Sequence, residues 1–107
     1  DQDTRVKGVW VPFFGRDAFT PVGAAEIALR RGVAVIPAFI ERRRDGRHLA
    51  RLQPELDISD DVVEATARMT AAIEAQIRRR PEQWVWIHRR WRHQQPEGAS
   101  IPFQADW

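Results

Sequence analysis

Apolar and polar positions divide the chain into short blocks of different period. Val9-Trp10-Val11-Pro12-Phe13-Phe14 is an apolar run rich in β-branched and aromatic residues, ended by Gly15. It predicts a buried strand whose Pro12 marks an edge or an exit, because proline cannot donate to a ladder. Thr20-Pro21 carries the signature of a helix start, a hydroxyl at the N-cap and proline in the first turn. Gly32 closes that helix after Arg30 and Arg31, with Ala24, Ile27 and Ala28 on one face. Val33 to Ile40 is almost wholly apolar and predicts a strand covered on both faces. Strand, helix and strand with short connections predict a right-handed crossover and a parallel pair. Asp45-Gly46 predicts a hairpin turn into an outer strand, His48 to Leu52. Asp61 to Arg80 predicts a long helix with acids at its start and arginines at its end. Its apolar stripe is Val62, Thr66, Met69, Ile73 and Ile77, widened by Ala65 and Ala72. Pro81 stops it and opens a short second helix. The stretch from Glu82 to Trp91 fits either period, and residues 94–107 read as an irregular tail. The fold class is therefore α/β, a partial and mainly parallel sheet with flanking helices.

Charge adds one distinction. There are 17 Lys+Arg against 15 Asp+Glu, a net charge of +2. The isoelectric point near 10.3 overstates the basicity, since no Tyr or Cys buffers the alkaline range. What matters is clustering: Arg42-Arg43-Arg44, Arg78-Arg79-Arg80 and Arg89-Arg90-Trp91-Arg92. Arginine favours bidentate contact with phosphate or carboxylate. The lack of cysteine excludes disulfides, thiolate metal sites and cysteine nucleophiles. No apolar run reaches the roughly 18–20 residues of a membrane span. None of His48, His88 and His93 is followed by an acid at the fifth position. Phosphate-loop, nucleophile-elbow, dinucleotide and zinc-protease motifs are also missing. No cofactor or metal is expected.

Three features carry candidate chemistry. Asp1-Gln2-Asp3 offers two carboxylates at the end of an expected upstream strand, the edge where open α/β sheets bind ligands. Arg16 follows a glycine bend at a second strand end and could hold an anion. Pro81 to Arg92 combines Trp84, Trp86 and Trp91 with His88, Arg89, Arg90 and Arg92. Such a string suits base stacking, a membrane interface or packing beneath a sheet.

The strings Asp1-Gln2-Asp3, Gly8 to Arg16, Thr20 to Ala25, Val35-Ile36-Pro37-Ala38, Pro81 to Trp91 and Pro96-Glu97-Gly98 are collinear with one family. The sequence resembles the C-terminal half of the lipid A biosynthesis (lauroyl/myristoyl) acyltransferases, within the lysophospholipid acyltransferase superfamily. Residues 1–93 would form the C-terminal part of the acyltransferase domain. The resemblance implies transfer of a fatty acyl chain from acyl-carrier protein to a hydroxyl of a phosphorylated glucosamine lipid. The setting it implies is the cytoplasmic face of the bacterial inner membrane. It also implies a His-x4-Asp/Glu general base and a membrane anchor upstream of Asp1, so the segment alone is expected to be inactive. Asp1, and more weakly Asp3, would be supporting carboxylates; Arg16, His88, Arg89 and Arg90 would contact the acceptor. Nucleic acid is not an expected partner, because acids such as Glu41, Asp45 and Glu82 flank the arginine tracts. The alternative from a different class is an Arg/Trp-rich nucleic-acid-binding or membrane-surface module without catalysis.

Overall fold

The computed structural model describes residues 7–84 and 89–91. Two antiparallel hairpins and two helices make up the fold. Strands β1 (Gly8–Phe13) and β2 (Arg16–Pro21) form the first hairpin, followed by helix α1 (Gly23–Arg31). Strands β3 (Ala38–Arg42) and β4 (His48–Leu52) form the second, followed by helix α2 (Val62–Arg79) and a 3₁₀ turn, Pro81–Gln83. The class is α/β, but the expected mainly parallel sheet is corrected: both pairings among the described residues are antiparallel.

The reason lies at Phe14-Gly15. Phe13 pairs with Arg16, so only two residues turn the chain, and both have positive φ, 52° at Phe14 and 75° at Gly15. That backbone matches the twist of the strands it joins and sends β2 straight back along β1. Left-handed backbone costs a side-chain-bearing residue about 1–2 kcal/mol. Phe14 is held there from outside the turn. Its N–H donates to Glu74 Oε1 of α2, and the Arg78 guanidinium lies 4.6 Å above its ring. Thr20 and Pro21 therefore close a strand. The helix starts later, at Gly23, without a side-chain cap.

Helix α2 follows its predicted bounds closely, with the Asp61 carboxylate accepting the Val63 N–H. Its apolar stripe lies across one face of β1. Val9, Val11 and Val22 meet Val62, Val63 and Ala67; Phe13 and Ala18 meet Ile73 and Ile77. On the other face of β1, Trp10 stacks edge-on against its cross-strand partner Phe19 at 5.3 Å. Burial on both faces explains why this strand reads as a continuous apolar run. Helix α1 buries Ala25 and Ala28, and Ile27 points outward, in contrast to the expected stripe.

The apolar run Val33 to Ile40 is also corrected. Only its last three residues enter β3. Residues 33–37 are held by three main-chain bonds, Val33 N–H to Ala28 O, Gln53 N–H to Pro37 O and Leu56 N–H to Val35 O. Burial on both faces needs a layer on each side, and among the described residues only the inner face of this hairpin meets another element. Val33, Ile36, Ile40 and Leu52 are consequently exposed, the last two by 71% and 74%. The Asp45-Gly46 turn is as expected, with Gly46 at φ 87° and Asp45 accepting the Arg47 N–H.

Glu74→Ala removes the acceptor that fixes Phe14, so thermal or denaturant unfolding should show a loss of about 1–2 kcal/mol. In the Phe14→Gly background, where the turn is no longer strained, the same change should cost less than half as much. Equal costs in both backgrounds would show that Glu74 does not support the turn.

Candidate functional site

The second hairpin reaches the body of the protein through charge. Glu41 alternates inward on β3, where its carboxylate is 5% exposed. It accepts from Gln76 Nε2 at 3.0 Å and from Arg51 Nε at 3.3 Å; Arg79 and Arg80 approach to 3.5 and 3.7 Å. The Gln76 hydrogen bond, then Arg51 and Arg79, hold Glu41 below the ordinary carboxylate value of 4.5, outweighing desolvation. One residue further, the Gln83 side chain acts as a piece of strand. Its Oε1 accepts the Arg42 N–H at 2.8 Å and its Nε2 donates to Arg42 O at 3.1 Å. The arginine-rich end of the hairpin is thus pinned beside the 3₁₀ turn.

Two clefts flank this junction. One, of about 160 Å³, is lined by Phe39, Ile40, Ile73, Ile77 and Trp84. Gln76 also lines it, with a buried Oε1 that has no hydrogen-bond partner among the described residues. The other is an open groove of about 560 Å³, in which Arg42, Arg43, Arg44, Arg51 and Arg80 surround buried Glu41. Asp45 and Glu82 line it too. Glu41 is already matched by three arginines, and Asp45 pairs with Arg47 at 3.7 Å. The side chains of Arg42, Arg43 and Arg44 make no ion pair among the described residues, so the groove carries surplus positive charge. No group of three or more metal-ligating side chains occurs among the described residues. No helix there is long and apolar enough to cross a membrane.

The residues singled out in the sequence are placed unevenly. Asp1, Asp3 and His88 lie outside the described residues. Arg16 opens β2 with an exposed side chain, and its carbonyl accepts the Trp91 indole N–H at 3.2 Å. Arg89 is exposed. Its neighbour Arg90 is only 1% exposed, and it donates to Phe19 O at 2.8 Å and to Thr20 Oγ1 at 2.6 Å. Its guanidinium lies 5.4 Å from the centre of the Phe13 ring. Trp84 and Trp91 pack on Phe13 as well, at 6.1 and 5.3 Å. Trp84, Arg90 and Trp91 thus form a clasp on the first hairpin. The sequence reading missed Gln83 and Glu41. A glutamine before the first tryptophan and an acid inside an arginine-rich strand were the available signals.

Arg90→Ala should cost about 2–4 kcal/mol in an unfolding titration, because two buried acceptors lose their donor. A stable variant with only a raised KM would contradict the clasp. Acid should loosen the second hairpin. Glu41 has a lowered folded pKa, so its contribution is complete above pH 4.5 and declines as pH falls below 4.5 toward that lowered value. Glu41→Gln should flatten the stability profile in that window; an unchanged slope would exclude the carboxylate as its source.

Comparison with known proteins agrees with this collinearity. Residues 1–93 match the model of the family described as bacterial lipid A biosynthesis acyltransferase. The chain is 36% identical over 95 residues to the lipid A biosynthesis lauroyltransferase of Escherichia coli, covering 85% of this chain and 31% of that protein. It is 34% identical over 104 residues to the palmitoleoyltransferase of the same organism, covering 94% and 34%. A lipid A biosynthesis acyltransferase of Haemophilus influenzae is 32% identical over 82 residues, covering 76% and 26%. The chain spans about a third of the length of these relatives or less. With nearly all of its residues inside the family match, the chain belongs to the bacterial lipid A biosynthesis acyltransferases.

Proposed function

We propose that these residues form the later part of an enzyme that moves a fatty acyl chain to a hydroxyl of a phosphorylated glucosamine lipid in lipid A biosynthesis. The observation that carries this reading is the family match across residues 1–93. The donor is an acyl thioester on acyl-carrier protein. The acceptor oxygen attacks the thioester carbonyl, its proton passes to a histidine, and the thiol leaves with a proton. A neighbouring acid orients the histidine, as general-base chemistry requires. Within these 107 residues no histidine has an acid at the fifth following position, so the pair comes from elsewhere in the parent protein and the segment alone is inactive.

Around that chemistry, Asp1 and Asp3 act as supporting carboxylates. Arg16, His88 and Arg89 face the acceptor. The exposed side chains of Arg16 and Arg89 are consistent with such a role, whereas Arg90 supports the strand that carries Arg16. The enzyme works at the cytoplasmic face of the inner membrane, where the acidic carrier protein is drawn to arginine-rich surface. A nucleic-acid-binding role is disfavoured by the packing of Trp84, Trp91 and Arg90 on Phe13, which takes these groups from any base-stacking surface.

The full-length protein, given acyl-carrier protein thioester and a phosphorylated glucosamine disaccharide lipid, should yield acceptor heavier by one acyl chain in mass spectrometry. The 107-residue segment should yield none. Arg16→Ala in the full-length protein should raise the acceptor KM about tenfold, the loss expected of a charge-assisted hydrogen bond, with little change in kcat. Product from the segment alone, or unchanged acceptor kinetics, would refute the respective assignment.

A further inference from the structure

We infer that the arginine groove between the tip of the second hairpin and the 3₁₀ turn is a phosphate-binding site, and that Arg43 and Arg44 seat a phosphate carried by the acceptor lipid. The inference rests on the acyltransferase reading for the identity of the acceptor, and on the groove itself for the chemistry.

Three observations lead there. The first is unspent charge. Arg51, Arg79 and Arg80 are committed to Glu41, while Arg42, Arg43 and Arg44 have no anion among the described residues. The second is a fixed main-chain frame beneath exposed arginine side chains. Arg43 N–H donates to Arg47 O at 2.8 Å, Gly46 N–H donates to Arg43 O at 3.0 Å, and Gln83 holds both main-chain groups of Arg42. A hairpin tip fastened at these points presents guanidinium groups without reordering its backbone, which lowers the entropic cost of capture. The third is shape. An opening of about 560 Å³ falls within the range of small-molecule sites. A compact dianion fits an opening of this size lined by arginines.

Arg43→Gln/Arg44→Gln leaves the main-chain turn intact and removes only unpaired cations. Binding is measured by calorimetry on the full-length protein, separately from acyl transfer. The probes are a short-chain phosphorylated glucosamine lipid, its dephosphorylated counterpart and inorganic phosphate. The double variant should bind the phosphorylated lipid at least about tenfold more weakly, as expected for lost charge-assisted bonds, and bind the dephosphorylated lipid as before. The matched control Arg30→Gln/Arg31→Gln, on α1, should leave both affinities unchanged. In the transfer assay, the double variant should raise KM for the phosphorylated acceptor and leave kcat near that of the parent.

Equal affinity of the double variant and the parent for the phosphorylated lipid would overturn the site. So would an equal loss in the control, which would reduce the effect to net charge. Inorganic phosphate binding as tightly as the phosphorylated lipid would overturn its assignment to a lipid-borne group. A double variant that binds both lipids normally but loses affinity for acyl-carrier protein would make the groove a protein dock. Failure of the parent to transfer acyl chains, with intact phosphate-dependent binding, would count against the acyltransferase reading and leave the site standing.

Discussion

A buried carboxylate, seconded by the Gln83 side chain on Arg42, joins the second hairpin to the rest of this structure. Helix α2 meets the first hairpin through a conventional apolar seam, but its meeting with the second is polar, centred on Glu41 and the side chains of Gln76, Arg51, Arg79 and Arg80. Burying a charge is costly unless several donors replace its water, and the number of donors here shows how that cost is met. The arrangement also explains the groove. Three arginines are used to neutralise Glu41, and the three that precede the hairpin turn are left over.

The string Pro81 to Trp91 makes the complementary point. Its composition invites a reading as a ligand surface, yet its described members mostly brace other elements. Gln83 completes the edge of β3, Trp84 and Trp91 cover Phe13, and Arg90 reaches the backbone of β2. A distinctive sequence is compatible with structural work when several aromatic and cationic groups must converge on one strand. The exposed arginines of the second hairpin are less distinctive in sequence but better placed for a ligand.

The legible parts of the fold were those set by local chemistry. Asp61 and the 3.6-residue period defined α2, and Asp45-Gly46 defined a turn. The topology was not legible, because the groups that contact Phe14 in its left-handed backbone, Glu74 and Arg78, lie some sixty residues away in sequence. Thr20-Pro21 has the chemistry of a helix start, but here the hydroxyl serves Arg90. Val33 to Ile40 has the composition of a doubly covered strand, and composition does not supply the covering layers. For the candidate site, the arginine cluster was visible as a cluster. Which arginines remained free depended on Glu41, a partner that no spacing rule identifies.

The most direct test is hydrogen exchange on the full-length protein, comparing the parent with Glu41→Gln. If Glu41 is the junction, amides of residues 38–52 should lose protection while those of β1, β2 and the centre of α2 keep theirs. Unchanged exchange throughout, or an even loss across both hairpins, would contradict a hairpin anchored by one buried charge.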